Sequence, residues 1–438
     1  MGFEEATAYL DALGVDAMKS LEPSLDRIEA ICAALDHPEA SVPAIHITGT
    51  NGKTSTARIA TSLLGAAGVN AATYTSPHLQ TIRERLTRSG EAISADDFGA
   101  LFDHILPYVQ MVEKQLDDQL SYFEVLTAMF FLWAAEAPVD VMVVEVGLGG
   151  RWDATNVIMA PVAVITNVGL DHTGLLGMER SVIAREKAGI IKPSSTVVTS
   201  ELNADILSVI TEEAAQLEAN VKALERDFRV DDNRTAFGGR FLSIHTSARA
   251  YEGIFLPLHG SHQGINAAAA LEAVVDFLPQ GSLQAEVVAE GMSAALVPGR
   301  LEALRPEDNS GTPIVLDVAH NPDGMSALIS SLLEAFAFDR IVFVLGILGD
   351  KDYKGMLTEL TRVPCDVIAT QAKSVRSVPL SELVSAAEQL ELPCTTIDDV
   401  GDAVKAALAT ARSTDLVCIT GSHYVVGEAR TLLVGTPE

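Results

Sequence analysis

Short apolar runs alternate along the chain with longer stretches in which apolar residues recur every three or four positions. The short runs predict buried strands, and the longer stretches predict amphipathic helices. Strand-like runs lie at residues 45–48, 139–146 and 162–168, and helical spacing is clear at residues 95–115 and 122–136. Strands that alternate with helices in this way form mainly parallel sheets, so we predict an α/β fold.

Residues 220–258 interrupt this alternation. Thr, Val, Phe and Gly dominate there and the helical spacing is lost, which predicts short antiparallel strands near residues 241–245 and 253–258. A helical stretch returns at residues 262–275. We therefore expect a small antiparallel sheet beside the parallel one.

The alternation starts again after a turn-like segment at residues 296–300, which contains Pro298 and Gly299. Strand-like runs lie at residues 313–318, 341–346, 365–370 and 415–420, between helical stretches near residues 324–336, 353–361, 380–390 and 400–412. A chain of 438 residues is too long for one ordinary core. We expect two domains, residues 1–297 and residues 298–438.

Composition and charge narrow the possible partners. The net charge is −29, from 30 basic and 59 acidic residues. This balance argues against non-specific nucleic-acid binding and against an anionic membrane surface, and it requires any nucleotide site to be locally basic. The cysteines, Cys32, Cys365, Cys394 and Cys418, are not paired at metal-binding spacing and are expected to be buried free thiols. With no signal peptide and no membrane-spanning run, we expect a cytoplasmic protein.

A phosphate-binding loop follows the first strand. Residues 49–54 read Gly-Thr-Asn-Gly-Lys-Thr, between an apolar strand and a helix. Glycines let backbone N–H groups turn toward an anion, and the new helix directs its positive end to the same place. Lys53 can reach the terminal phosphates and Thr54 can ligate Mg²⁺. Two residues, instead of the usual four, separate Gly49 from Gly52, so this is a shortened variant.

Polar residues also end two other predicted strands. Glu145 ends an apolar run, and a carboxylate there needs a metal or a cationic partner because burial of the lone charge is costly. We favour a metal over an ion pair with Arg151 or Lys187, since the loop nearby needs Mg²⁺. His172 follows the next strand, and its spacing fits a ligand and a structural histidine equally well.

Four further residues can be interpreted in another way from their local sequence. Lys187 lies in a mixed-charge helix end, where a surface ion pair with Glu186 or a neighbour is favoured. His320 and Asn321 follow a strand of the second domain, where they can cap a helix, face the cleft between the domains, or do both. Phe123 has the spacing of a core residue rather than of a ligand-stacking residue.

These motifs together resemble the folylpolyglutamate synthase/dihydrofolate synthase family, in the Mur ligase superfamily of ATP-dependent amide-bond-forming ligases. The matching segments are residues 49–54, 75–79, 145–156, 171–172, 186–190, 298–302 and 319–322. The resemblance implies an N-terminal P-loop ATPase domain with a mainly parallel sheet and a small antiparallel sheet. It also implies a C-terminal Rossmann-like α/β domain, with the active site between the two domains.

The resemblance also implies residue roles. ATP would be held by Thr50, Asn51, Gly52, Lys53, Thr54, Asn266, Arg300 and Asp317. Two Mg²⁺ ions would be held by Ser76, Glu145, His172 and Thr54. Pterin or folate would contact Phe123, Arg151, Trp152 and Asp153, and glutamate would contact His320 and Ser422. Lys187 would be carbamylated, which makes it an anionic metal ligand. The catalytic candidates are Lys187, His320 and Asp317.

The implied reaction is ATP-dependent addition of L-glutamate to dihydropteroate, to reduced folates, or to both, through an acyl phosphate. The alternatives are another Mur-type ligase acting on a UDP-muramyl peptide, and a nucleotide-gated binding protein without ligase chemistry. Only about 45 residues precede the P-loop, too few for a UDP-sugar-binding domain. We expect a monomer whose partners are small molecules, with no nucleic acid and no membrane.

Overall fold

Two α/β sheets and one small antiparallel sheet make up the protein. They are seen in a computed structural model that describes residues 2–14, 24–304, 311–374 and 376–436. The predicted fold class is confirmed, including the small antiparallel sheet.

The N-terminal domain begins with two helices and a strand that leads into the P-loop. Its elements are α1 (Phe3–Leu13), α2 (Asp26–Ala34), β1 (Ala44–Thr48), α3 (Lys53–Ala66), β2 (Ala71–Tyr74), β3 (Leu86–Arg88), β4 (Glu91–Ala92), α4 (Ala95–Leu116), α5 (Tyr122–Glu136), β5 (Val141–Glu145), β6 (Val162–Ile165), α6 (Thr173–Leu176), α7 (Arg180–Ala188), β7 (Thr196–Thr199), α8 (Ala204–Gln216), β8 (Asn220–Ala223), β9 (Arg229–Ala236), β10 (Gly239–His245), β11 (Ala250–Leu256), α9 (Ser261–Phe277) and α10 (Ala285–Ser293).

Eight of these strands form one sheet in the order β4-β3-β2-β5-β1-β6-β7-β8. From β2 to β8 all neighbours are parallel, and only β3 and β4 at one edge run antiparallel. The strand β1 is central and fully buried, so both of its faces must find partners. Its apolar residues Ile45 and Ile47 pack toward α3 and α9, and the alternation of a strand sends His46 and Thr48 to the opposite face.

The small sheet, in the order β11-β10-β9, is antiparallel. Its inner face carries Leu242, Ile244, Ile254 and Leu256, which join the core formed with α3, α9 and α10. The sequence predicted two of its strands with shifted bounds. It did not predict β9, because the polar run Val-Asp-Asp-Asn-Arg at residues 230–234 has no apolar alternation.

The C-terminal domain repeats the strand–helix alternation. Its elements are β12 (Glu302–Leu304), β13 (Ile314–Leu316), α11 (Pro322–Ala335), β14 (Ile341–Leu345), α12 (Tyr353–Leu360), β15 (Cys365–Ala369), α13 (Leu380–Gln389), β16 (Cys394–Thr396), α14 (Val400–Thr410), β17 (Leu416–Thr420) and α15 (His423–Val434). The sheet order is β12-β13-β17-β14-β15-β16, parallel except for β12. The four predicted strands lie at its centre. Only the short edge strands and α15 lacked a clear sequence signal.

Two polar contacts join the domains on either side of the cleft. Arg240 of β10 is almost fully buried and donates to both carboxylate oxygens of Glu334 on α11, at 2.9 and 3.0 Å. On the other side, the Gln80 amide donates to Thr431 and accepts from Arg430, both on α15. These contacts hold the carboxyl ends of the two parallel sheets toward each other.

Among the described helices, none is both long enough and apolar enough to cross a membrane. The cysteines are free, as expected; Cys32, Cys365 and Cys418 are buried, but the prediction was wrong for Cys394, which lies half-buried in the edge strand β16.

Candidate active site

A cavity of about 290 Å³ lies where the carboxyl ends of β1, β5 and β6 face the C-terminal domain. Most of the predicted site residues line it, namely Thr50, Asn51, Gly52, Lys53, Thr54, Ser76, Phe123, Glu145, Asp153, His172, Lys187, Arg300, His320 and Ser422. Its other basic residues are Arg85, Lys351 and Arg376. The cavity is therefore rich in cations inside a strongly acidic protein, which suits a polyanionic ligand.

The P-loop has the backbone shape that its glycines require. Gly49 and Gly52 both have positive φ, at 151° and 88°. A Cβ at Gly49 would overlap the side chain of Thr166, and one at Gly52 would lie 2.5 Å from Oδ1 of Asn266. Asn266 thus supports the loop from α9, although it does not line the cavity. Lys53 starts α3 and donates to the carbonyl of Gly49 at 3.0 Å.

Glu145 is buried at the end of β5 and accepts hydrogen bonds from the first turn of α3 and from the turn that follows β2. Its carboxylate accepts from the Thr54 hydroxyl at 3.0 Å and from the Ser76 N–H at 3.3 Å. Burial raises the pKa of Glu145, and the nearby Lys53 ammonium opposes this rise. The alternative interpretation, an ion pair between Glu145 and Arg151, is wrong, because Arg151 pairs with Glu213 at 3.2 Å.

Lys187 is buried in the wall of the cavity. Burial, and next to it the positive charge of Lys53, lower the pKa of Lys187 to about 7. The favoured surface ion pair with Glu186 is wrong, because α7 turns Lys187 inward while a Glu186 oxygen accepts from the Trp152 N–H at 3.4 Å. The amine is thus partly neutral at physiological pH, unlike that of an exposed lysine.

Asp171 connects the two domains inside the cavity. It accepts from Lys351 at 2.7 Å and from the Asn321 amide at 3.2 Å, and His320 lies 3.5 Å away. Burial by itself would raise the pKa of Asp171, but the nearby His320 ring and the charge of Lys351 hold that pKa well below its usual range. Nζ of Lys351 also lies 3.2 Å from Nε2 of the predicted ligand His172.

Lys351 is not among the residues predicted from the sequence. A signal was present, since Gly-Asp-Lys-Asp at residues 349–352 follows shortly after the carboxyl end of β14. Arg376, on the loop that follows β15, pairs with Asp350 at 2.9 Å and lines the cavity as well. A search for charged residues just after each strand of the second domain would have found the lysine.

His320 and Ser422 bring the C-terminal sheet to the cavity. The Nδ1–H of His320 donates to the Val318 carbonyl at 2.8 Å, which leaves Nε2 directed toward Asp171. Ser422 caps α15, and the ring of the next residue, His423, lies 5.3 Å from that of His320. Asn321 caps α11 and also reaches the cleft, so this turn is both a helix cap and a part of the cleft.

Four predicted site residues lie outside the cavity lining: Asn266, Asp317, Arg151 and Trp152. Asp317 is buried behind the wall, where it accepts from the N–H groups of Leu301 and Ala319. Trp152 is half exposed. Phe123 belongs to the core as its spacing predicted, yet its ring edge also faces the cavity beside Gly147.

Within the described ranges, no three His, Cys, Asp or Glu side chains are gathered as a ready metal site. Glu145 instead accepts from the Thr54 hydroxyl, and Ser76, whose N–H donates to the same carboxylate, lines the cavity beside it. Hydroxyl and carboxylate oxygens are hard donors, the kind that Mg²⁺ prefers, so the chemistry of this set fits a magnesium ion.

A shortened P-loop on parallel strands, facing a second α/β domain across a basic cleft, defines an ATP-dependent ligase of the Mur type. Residues 47–274 match the family model of the Mur ligase middle domain, and residues 299–423 match that of the Mur ligase glutamate ligase domain. The chain belongs to the dihydrofolate synthase/folylpolyglutamate synthase family of Mur ligases.

The similarity to these relatives covers nearly the whole chain. The dihydrofolate synthase/folylpolyglutamate synthase of Mycobacterium tuberculosis is 39% identical, over 95% of this chain and 91% of its own. The protein of the same name from Bacillus subtilis is 34% identical, over 98% of this chain and 99% of its own. A solved structure of M. tuberculosis folylpolyglutamate synthase complexed with ADP is 38% identical, with a TM-score of 0.94 and coverage of 100% and 99%. The predicted ligase class is confirmed.

Proposed function

We propose that this chain adds L-glutamate to both dihydropteroate and reduced folates, and that ATP activates the substrate carboxylate as an acyl phosphate. The observation that carries this proposal is the composition of one cavity. Its N-terminal wall holds the P-loop, Glu145 and Lys187, and its C-terminal wall holds His320 and Ser422. One wall suits phosphoryl transfer and the other suits an amino-acid nucleophile.

ATP lies along the P-loop in this proposal, with its phosphates on the N–H groups of residues 50–54 and on the Lys53 ammonium. Arg300 adds a second cation. Burial lowers the pKa of Arg300, and the nearby carboxylates of Asp317 and Glu145 oppose this effect. Asn266 and Asp317 act behind the lining, where Asn266 supports Gly52 and Asp317 fixes the turn that carries Arg300.

Two Mg²⁺ ions would be held by Glu145 with the Thr54 and Ser76 hydroxyls, and by His172 with Lys187. When bound, Mg²⁺ neutralises the charge that develops on the transferred phosphoryl group. Nε2 of His172 accepts a hydrogen bond from the Lys351 ammonium at 3.2 Å. His172 can therefore bind Mg²⁺ through Nε2 only after this ammonium moves away.

Lys187 becomes an anionic oxygen ligand for Mg²⁺ by carbamylation. A neutral amine adds to CO₂ to give a carbamate and one released proton, and the carbamate offers two anionic oxygens. The pKa of about 7 supports this step, because burial keeps a large share of the Lys187 amine neutral.

The reaction then proceeds in two halves. A carboxylate oxygen of the pterin substrate attacks the γ-phosphorus of ATP, ADP leaves, and an acyl phosphate forms. The amine of L-glutamate attacks the acyl carbon, the amide bond forms and phosphate leaves. His320 accepts the amine proton at Nε2, and the Asp171 carboxylate 3.5 Å away stabilises the resulting imidazolium. Domain closure excludes the water that would hydrolyse the acyl phosphate.

The pterin side of the cavity is formed by the ring edge of Phe123 and the carboxylate of Asp153. Arg151 and Trp152 adjoin it from outside, so their contact with a folate would be at its exposed end. Ser422 serves the glutamate beside His320. Because both walls come from one chain, divided near residues 297 and 298 between α10 and β12, we propose a monomer as the working unit.

Release of ADP by the purified chain tests this function. It is measured with dihydropteroate, tetrahydrofolate or a UDP-muramyl peptide, each with and without L-glutamate. We expect release only when a pterin substrate and glutamate are both present, with product mass increased by one glutamate. Release that requires neither would refute the proposal, and activity with only one pterin would reduce it to a single substrate.

A further inference from the structure

The buried imidazole of His46 is the start of a hydrogen-bonded chain that ends at the cavity. His46 lies in the middle of β1, with no exposed surface. Its Nε2 lies 2.8 Å from the Thr155 hydroxyl, and the Thr155 hydroxyl donates to Oδ1 of Asp153 at 2.6 Å. Asp153 lines the cavity.

The direction of each hydrogen bond follows from the groups present. Both carboxyl oxygens of Asp153 face donors: Oδ1 accepts from the Thr155 N–H at 3.0 Å and from the Thr155 hydroxyl, and Oδ2 accepts from the Leu148 N–H at 2.9 Å. Burial raises the pKa of Asp153 above its ordinary value, and these donors oppose the rise. Because Oδ1 is already the acceptor of the Thr155 N–H, the Thr155 hydroxyl donates its proton to the same oxygen. The Thr155 oxygen must then accept from His46. His46 is therefore neutral with its proton on Nε2, and its buried Nδ1 has no partner among the described residues.

We propose that His46 is a positioning residue for the pterin substrate: it fixes the direction of the Thr155 hydroxyl, which holds the Asp153 carboxylate toward the cavity. The identity of the ligand rests on the proposed function above. The neighbouring residue on the same face of β1 supports this role, since the Thr48 hydroxyl donates to the Gly149 carbonyl at 2.7 Å. The P-loop strand thus holds the loop of residues 147–155 at two points.

This arrangement explains two polar residues in a central strand that is buried on both faces. An apolar residue in place of His46 would leave the Thr155 hydroxyl free to rotate and to donate elsewhere. Asp153 would then lose one of its hydrogen bonds while its backbone remained in place. The P-loop, which follows the carboxyl end of β1, would keep its own contacts.

The experiment compares His46→Met, which removes the donor, with His46→Gln, which keeps an N–H near the Nε2 position. Thr155→Val and Thr155→Ser form the second pair, and Thr199→Val is the matched control, because it removes a buried hydroxyl from β7 away from the cavity. We expect His46→Met and Thr155→Val to raise the KM for dihydropteroate about tenfold or more, the effect of losing a hydrogen bond to a charged group. The KM for ATP should stay within about twofold, and the Gln and Ser variants should recover most of the loss.

The proposal fails if folded His46→Met keeps its KM for dihydropteroate, if both KM values rise together, or if His46→Gln is as impaired as His46→Met. If the His46 variants do not fold, the KM values of Thr155→Val and Thr155→Ser test the proposal by the same criteria. ¹⁵N NMR of the histidine-labelled wild-type chain is independent of both pairs: we expect a neutral His46 protonated at Nε2, and protonation at Nδ1 would overturn the proposal. A wild-type chain without pterin-dependent ADP release would refute the proposed function instead and leave the tautomer result intact.

Discussion

Nζ of Lys351, in the C-terminal domain, lies 2.7 Å from Oδ1 of Asp171, in the N-terminal domain. Both side chains are largely buried, at 6% and 10% exposure. Removing one partner of a buried pair costs more than the pair contributes, because the other charge stays behind without compensation. The pair therefore couples closure of the cleft to the geometry of the site.

Lys351→Met should lower kcat by about 100-fold or more, since loss of a buried charge partner costs roughly 3–5 kcal/mol. The variant should also populate a more open arrangement of the domains, because the unpaired Asp171 carboxylate is stabilised when water can reach it. Steady-state ADP release and small-angle X-ray scattering measure the two effects. Lys405→Met is the control, because its pair with Asp402 is exposed and should contribute almost nothing. Full activity in Lys351→Met would show that the pair is dispensable.

The sequence alone predicted the parts of the site that local rules determine. The P-loop is recognisable because a strand, two glycines, Lys53 and a helix occur within a few residues of each other. Glu145 and His172 could be found because each ends a parallel strand, and such ends share one edge of the sheet.

The inward turn of Lys187 and the pairing of Lys351 with Asp171 were beyond those rules. The inward turn of Lys187 depends on how α7 packs, and the partner of Lys351 lies 180 positions away in the chain. The positions of Asp317 and Trp152 relative to the cavity were also beyond those rules. These residues sit next to site residues in the sequence, but the backbone turns one behind the wall and the other out to solvent.

Lys187→Ala should lose nearly all activity and regain part of it with a short carboxylic acid, which replaces the carbamate as a ligand. In the wild-type chain, the carbamate requires the neutral amine. Because the pKa of Lys187 is about 7, the neutral fraction falls as the pH drops below that value. Activity should then fall with it, and added bicarbonate should restore part of it. Measurement of kcat from pH 6 to 8, with and without bicarbonate, checks this. Intact activity in Lys187→Ala would remove the carbamate from the mechanism.

Glu145→Ala should weaken Mg²⁺ dependence, since the carboxylate is the charged oxygen donor beside Thr54. We expect the Mg²⁺ concentration for half-maximal activity to rise about tenfold or more, as for the loss of a charged ligand with its hydrogen bonds. Nucleotide binding without metal should change much less. A magnesium titration of ADP release gives the first value and a fluorescent ADP analogue gives the second. An unchanged titration would count against Glu145 as a ligand.

Glu334→Ala should destabilise the junction of the two domains by about 1.5–3 kcal/mol, the value of hydrogen bonds to a charged group. The loss falls on Arg240, whose buried guanidinium would keep its hydrogen bonds to Asn233 and Thr235 of β9. The hydrogen bond from Arg240 lowers the pKa of Glu334, so its stabilising effect is present above the ordinary carboxyl range and is lost as the pH falls through the folded value. Urea unfolding at pH 7 and at pH 4 tests both points. Equal midpoints for the variant and the wild type at pH 7 would contradict it.

Gly427→Ala should hinder closure of the cleft without weakening the C-terminal domain itself. Gly427 lies inside α15, where an alanine normally favours the helix by up to about 1 kcal/mol. A Cβ there would overlap the carbonyl oxygen of Leu79, whose carbonyl carbon would be only 3.0 Å away. Both are backbone atoms of the other domain, so the clash can be relieved only by moving the domains apart. We expect kcat to fall at least tenfold, because the C-terminal wall with His320 then no longer reaches the P-loop.

The matched control is Gly65→Ala, an alanine placed near the end of α3 where nothing lies within 4 Å. It should leave kcat unchanged and raise stability slightly, since only the helix preference acts there. Small-angle scattering should show Gly427→Ala, and not Gly65→Ala, as the more extended protein. If Gly427→Ala kept full activity and the wild-type dimensions, the close approach of α15 to Leu79 would not be the contact that completes the active site.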